Sequence, residues 1–301
     1  MDPITFEATL PMNVSPNSTI RSHEFHDVLL GIYSLVFVSG MLCFSVAVHA
    51  LKSSATSITS IAVFNLLFTH FLFLLTIPFR IYYYSTHYWN LGLDFCKVVS
   101  SMIHIHMYMS FIFYLIILIS RLLSFYKGQN MRSIQRLHAL LASAAVWIIV
   151  LVVTPCVVTL SYGKIAGQKG NETRECFTFA GEIESTSTKA INYVVSLFII
   201  LATAVLTSLQ ANILLVLYKR DGKKCTLQQE FSAQLKSLCF ALIMVASFIP
   251  YHLFRLYYIE HLHLESINEV FLSLTTFNCL DALTFMGTRT CFGCYFGKRL
   301  C

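Results

Sequence analysis

The sequence is short of charge: Asp, Glu, Lys and Arg make up 12% of its 301 residues, against 56% hydrophobic residues. A soluble domain carries about 25% charged residues, so this composition excludes an ordinary water-soluble fold, and the mean hydropathy of +0.67 agrees. Catalytic signatures are also missing. There is no His-Glu-x-x-His, no Gly-x-Ser-x-Gly and no glycine-rich phosphate loop, which leaves no motif for metal hydrolysis, acyl transfer or nucleotide chemistry. The chain is therefore expected to be no enzyme and to use no cofactor. Residues 1–27 lack the apolar core of a cleavable signal peptide, so the first membrane span is expected to serve as the insertion signal. No soluble module, low-complexity tract or internal repeat is present, and nothing resembles the paired broken helices of a transporter.

What the sequence has is long apolar stretches, at about 28–51, 57–84, 97–126, 138–161, 189–218, 237–259 and 267–288. Each can cross a hydrocarbon core about 30 Å thick. Lipid leaves backbone amides no partner outside the segment, so all seven are predicted to be helices. The fold class is all-α, a seven-transmembrane-helix bundle with a short C-terminal amphipathic segment. Residues 1–27 form an N-terminal segment, 28–288 the membrane domain and 289–301 a short tail.

Charge sets the orientation, because cytoplasmic loops accumulate Lys and Arg. With the N-terminus outside, the inner side holds thirteen of the 21 cations but only Asp221 and Glu230 of the 15 acids. The formal net charge of +6 thus reflects sidedness. Its cations lie on separate loops, so membrane lipid is the expected partner and nucleic acid is not. Three glycosylation sequons, at Asn13, Asn17 and Asn171, all fall outside under this topology.

The ten cysteines sort by side. Cys43, Cys156, Cys239 and Cys279 lie in spans and read as small buried hydrophobes. Cys225, Cys291, Cys294 and Cys301 are cytoplasmic, where disulfides are rare. Only Cys96 and Cys176 face the oxidising side, so these two are expected to pair. Cys291 and Cys294, among Phe292, Tyr295 and Phe296, suit palmitoylation of a membrane-lying segment or remain free thiols.

Trp89-x-x-Gly92-x-x-x-Cys96, Arg121 twenty-five residues after that cysteine, and Trp147 in span four resemble the framework of the rhodopsin-like G-protein-coupled receptors. Asn65-Leu66, Phe248-x-Pro250-Tyr251-His252-x-x-Arg255 and Cys279-Leu280-Asp281 look like that family's purinergic-like branch. The resemblance covers nearly the whole chain. It implies a plasma-membrane receptor that passes an extracellular signal to a heterotrimeric G protein. An opsin is excluded, because 267–288 holds no lysine for a retinal Schiff base. A constitutively active or partner-dependent receptor-like protein stands as an alternative, and a transporter or channel as a further one.

Several family features are missing. Ser120-Arg121-Leu122 stands where the family has an acid, arginine and tyrosine. By the family's spacing Glu230 faces Arg121 across the inner mouth, and an ion pair between them is expected to hold the resting state. Asp281-Ala282-Leu283-Thr284-Phe285 has lost the proline and tyrosine of the usual span-seven motif. Phe248 and Pro250 remain as the span-six switch and kink. His70 falls where the family keeps the aspartate of a sodium site, with His106 and Ser110 near two further positions of it and Asp281 opposite. A histidine–carboxylate cluster is expected there in place of sodium binding, because a hard cation prefers oxygen ligands.

Imidazole titrates near pH 6.5, so His70, His104 and His106 are either proton sensors or neutral histidines bonded across helices. No metal is expected in the spans, since His104 and His106 diverge by about 200° on a helix. His23, His26, His261 and His263 form a weak zinc pattern outside.

In the outer half Arg80, His104, Tyr108, His252, Arg255 and Tyr258 are candidates for ligand binding. The purinergic-like resemblance places an anionic ligand against His252 and Arg255, and guanidinium forks suit phosphate or carboxylate. Alternatively, Arg80 and Arg255 snorkel to the interface or pair with Glu260, Glu265 or Glu269.

Overall fold

The structure is a computed structural model and describes residues 16–51, 58–127, 141, 143–150, 152, 176–177, 186–221 and 229–282. Asn13, Asn171, Phe285, Cys291 and Cys294 lie outside these residues, as does the side chain of Asn17.

Span one is the helix Pro16–Leu51. It starts well before the apolar stretch predicted from residue 28, with Pro16 in the first turn, where its missing N–H costs nothing. Its polar first part keeps the backbone bonds of a helix without needing lipid. Span two is two helices, Ile58–Leu74 and Ile77–Thr86, where the sequence predicts one. Pro78 explains the break, because a proline removes an amide and crowds the turn before it. The displaced groups are recovered locally: the Thr76 amide donates to Phe73 O at 2.8 Å and its hydroxyl donates to the same oxygen at 2.7 Å.

Span three is Leu93–Lys127, span five Thr186–Asp221 and span six Gln229–Tyr258, which carries Pro250 inside it. Span four is seen as helix over 143–150. Span seven begins as the α-helix Glu265–Leu274 and tightens to a 3-10 helix over Thr275–Ala282.

The faces are sorted as lipid requires. Leu42, Phe64, Ile148, Leu201 and Val194 are exposed apolar residues, while His70, His106, Ser110 and Asp281 are fully buried. With hydrocarbon outside, association rests on close packing and buried hydrogen bonds more than on hydrophobic burial. Gly40 shows the packing: a Cβ there would lie 2.8 Å from Leu74 Cδ2, so glycine lets span one close on span two. The Trp147 indole shows the bonding, donating to Asn65 Oδ1 at 2.9 Å and fastening span four to span two.

Candidate functional site

The outer rim is built by the Trp-x-x-Gly segment. Gly92 has φ 86°, a left-handed conformation that glycine adopts without strain. This turn presents Gly92 O to both the Trp89 indole, at 2.7 Å, and the Cys96 amide, at 3.1 Å. The motif thus starts span three and buries Trp89 against Phe95 and Phe177. Cys96 and Cys176 form the expected disulfide, with Cα atoms 5.9 Å apart, and it brings Phe177 over the bundle.

Beneath that disulfide lies Arg80, 1% exposed. Its Nη2 donates to Val99 O at 3.0 Å and Ser100 O at 3.3 Å, and its Nη1 to Tyr33 Oη at 3.3 Å. Glu269 Oε1 is 3.8 Å away and accepts a hydrogen bond from Tyr84. Phe177 covers the guanidinium, with its ring centroid 4.4 Å from Cζ. The reading of Arg80 as a ligand contact is therefore corrected. The Glu269 alternative holds, because spans one, two, three and seven already engage the fork.

The remaining outer candidates gather between spans three, five and six. Arg255 is half-buried, and its Nε and Nη2 donate to Asn192 Oδ1 at 3.3 and 3.1 Å. None of the ion pairs among the described residues includes it. Tyr258 lies under its guanidinium, 5.2 Å from Cζ to ring centroid. His252 Nδ1 bonds Ser196 Oγ at 3.2 Å, while His252 Nε2 and Tyr258 Oη are buried with no hydrogen-bond partner among the described residues. Tyr108 stands mid-span yet is 36% exposed, and it lies within electrostatic reach of Arg255 and Tyr251. His104 feels both Arg255 and Arg80. The structure thus brings five of the six predicted ligand residues around one cationic region and assigns the sixth, Arg80, to support.

At the mouth, Glu260 ties span five to span six. It accepts from Tyr193 Oη at 2.9 Å and Lys189 Nζ at 3.2 Å. The Tyr193 hydrogen bond, followed by Lys189, holds its carboxyl below the usual range.

Deeper in the bundle, His70 Nε2 bonds Asp281 Oδ2 at 3.1 Å and Tyr114 Oη donates to the same oxygen at 2.7 Å. His70 Nδ1 faces His106 Nε2 at 2.9 Å. Ser110 is buried close by in sequence, one turn beyond His106, and its hydroxyl has no partner. Tyr114 and Cys279 were not legible as parts of this cluster. Their one signal was helical spacing, since Tyr114 lies two turns beyond His106. Phe248 is fully buried and meets Phe111 and Tyr114 edge-on at 5.7 and 6.2 Å.

The inner mouth departs from expectation. Arg121 is part-buried and Glu230 exposed, and no ion pair among the described residues joins them. The charge that reaches Arg121 is that of Lys236, a like charge. Glu230 and Lys236 lie six residues apart, about 120° around the helix, so the face carrying Lys236 toward Arg121 turns Glu230 away. The outer histidines are also redistributed. His26 stacks on His87 with Nδ1 atoms 2.6 Å apart, while His261 stacks on Tyr257.

Residues 27–282 match the family model described as 7 transmembrane receptor (rhodopsin family). The chain belongs to the rhodopsin family of seven-transmembrane receptors. It is 37% identical over 268 residues to probable G-protein coupled receptor 141 of Homo sapiens, covering 86% of this chain and 87% of that protein. Probable G-protein coupled receptor 34 of Pan troglodytes is 25% identical over 300 residues, 91% of this chain and 77% of that protein. Lysophosphatidic acid receptor 6 of Gallus gallus is 30% identical over 171 residues, 54% of each chain. The chain is accordingly a multi-pass membrane receptor of the purinergic-like branch, a non-enzymatic family.

Proposed function

We propose that this receptor recognises an extracellular lipid with an anionic headgroup at Arg255 and passes the signal to a heterotrimeric G protein at its inner face. The observation that carries the reading is Arg255 itself, a guanidinium inside the outer bundle held by an amide and no acid. A phosphate or carboxylate there supplies an opposite charge and a bidentate partner, which the neutral Asn192 amide cannot. His252 Nε2 and Tyr258 Oη add unpartnered polar atoms next to it, and Tyr108 and His104 complete the lining. The kinship to a lysophosphatidic acid receptor favours a lipid over a nucleotide or a small acid.

In this reading the N-terminus is extracellular and glycosylated at Asn13 and Asn17, with Asn171 glycosylated in the outer loop, and Cys291 and Cys294 anchor the tail by palmitoylation. Arg121 meets the G protein, Phe248 and Pro250 transmit movement of span six, and Asp281 and Phe285 belong to the same switch. The test is a coupling screen of lysophospholipids, nucleotides and small carboxylic acids on cells expressing the chain. Arg255→Ala is expected to raise the half-maximal concentration by about 10–100-fold, the worth of one charged hydrogen bond. Equal responses of wild type and Arg255→Ala to every active ligand would remove Arg255 from the site.

Among the described residues Glu230 does not pair with Arg121, which favours a second reading, in which the receptor couples without agonist. Agonist-free coupling that persists after delipidation of the medium and in Arg255→Ala supports it.

A further inference from the structure

We propose that His70 Nδ1, His106 Nε2 and Cys279 Sγ form a buried zinc site that joins spans two, three and seven. The three atoms make a nearly equilateral triangle: 2.9 Å between the nitrogens, 3.6 Å from sulfur to His70 and 3.5 Å from sulfur to His106. Tetrahedral zinc, with bonds of about 2.0–2.1 Å to nitrogen and 2.3 Å to sulfur, sets its ligands about 3.3–3.6 Å apart. Both sulfur edges already have that length, and the nitrogen edge needs to open by only a few tenths of an ångström. All three residues are at most 3% exposed.

The surroundings fit a metal better than a chain of hydrogen bonds. His70 gives its other ring nitrogen to Asp281 at 3.1 Å, the carboxylate–histidine pairing that orients an imidazole ligand and raises its basicity. Tyr114 in turn fixes Asp281 at 2.7 Å. In neutral His70 this leaves Nδ1 with its lone pair toward the triangle. The His106 ring is held flat against Phe73, with centroids 4.3 Å apart at 18°, and its Nδ1 has no partner among the described residues. Ser110, one turn beyond His106 and fully buried, carries an unpartnered hydroxyl on the same side for the fourth position, directly or through a water.

Charge selects the ion. A divalent cation, the Cys279 thiolate and the Asp281 carboxylate sum to zero, and a neutral cluster is what a buried site tolerates. Imidazole and thiolate suit zinc and reject sodium. Binding releases the thiol proton to solvent and forms no redox product. The site shares no residue with the outer pocket.

The test uses the full chain purified in detergent without chelator, with metal measured per receptor after equilibration against micromolar zinc and dialysis. Wild type is expected to hold about one zinc per chain, and its cobalt-substituted form to show a thiolate-to-cobalt charge-transfer band. Cys279→Ala is expected to lose that band, Asp281→Asn to weaken zinc by about 10–100-fold, and the double variant His26→Ala, His261→Ala to keep both the ion and the band. If Cys279→Ala does not fold, the band in wild type decides. Monodisperse wild type with no bound zinc, cobalt binding without the band, or an ion lost with the outer histidines overturns the site.

Discussion

Replacing Arg80 with methionine separates a structural arginine from a ligand-binding one. The change removes two bonds to span-three carbonyls at 3.0 and 3.3 Å, the bond to Tyr33, and the cation that faces Glu269 at 3.8 Å. Methionine fills most of the volume, so the loss is electrostatic and not a cavity. Breaking one side of a buried pair costs about 3–5 kcal/mol, chiefly because the other charge is left unpaired. A domain of this size shifts its midpoint by about 2–4 °C per kcal/mol, which puts the expected fall in apparent melting temperature at about 6–20 °C. Thermal unfolding of the detergent-purified receptor measures it. The double variant Arg80→Met, Glu269→Gln is expected to recover part of the loss, because it removes the stranded carboxylate. Arg255→Met, which loses bonds to a neutral amide and strands no opposite charge, is expected to cost about 1.5–3 kcal/mol. A shift for Arg80→Met as small as that of Arg255→Met, or a double variant no better than the single, would refute the reasoning.

Three further outcomes follow from the geometry. Glu230→Ala is expected to leave basal coupling unchanged at equal surface expression, because Glu230 does not pair with Arg121; a several-fold rise restores the lock. Trp147→Phe keeps the ring contacts with Phe68 and Phe113 but loses the bond to Asn65, so thermal unfolding is expected to show a loss of about 1–3 kcal/mol from the stranded amide. Glu260 is held below its ordinary value of 4.5, so its tie is fully present above that pH and fades as pH falls through the lowered one. The stability difference between wild type and Glu260→Gln should therefore shrink as pH falls below 4.5, and a difference constant with pH contradicts the tie.

Most of the architecture was legible because membrane insertion is read from composition. Hydropathy finds spans, Lys and Arg find sidedness, and two outward cysteines find each other. Local geometry was less legible. Pro78 was visible in the sequence, but whether it bends or breaks span two depends on Thr76 recapturing Phe73 O. The site shows the same division. His70 and Asp281 could be placed together because an ionisable residue at membrane depth must face the interior. For Arg80 the sequence leaves a ligand contact and an ion pair with Glu269 both open, because nothing in a linear sequence shows that Val99, Ser100 and Tyr33 also converge on it. Cys279 looked like an inert buried thiol for a similar reason. Its chemistry depends on His70 and His106, 209 and 173 residues away.

The polar contacts also bear on how span six can move without the usual span-seven proline and tyrosine. Arg80 binds spans one, two, three and seven, and Asp281 with His70, His106 and Tyr114 binds two, three and seven again at greater depth. The polar ties described for span six run instead to span five: His252 to Ser196, Arg255 to Asn192, and Glu260 to Lys189 and Tyr193 just beyond the helix end. Between the two groups Phe248 meets Phe111 and Tyr114 edge-on, contacts that slide at less cost than buried hydrogen bonds break. Gln210, donating to Leu118 O at 3.3 Å, is the exception that crosses this seam. Spans five and six are therefore joined to each other by polar ties, while spans one, two, three and seven are joined among themselves. In the proposed reading a headgroup on Arg255 competes with Asn192 for the guanidinium, at a bond that joins spans five and six. In that reading the signal begins where the two helices are joined, and span six carries the movement at Pro250.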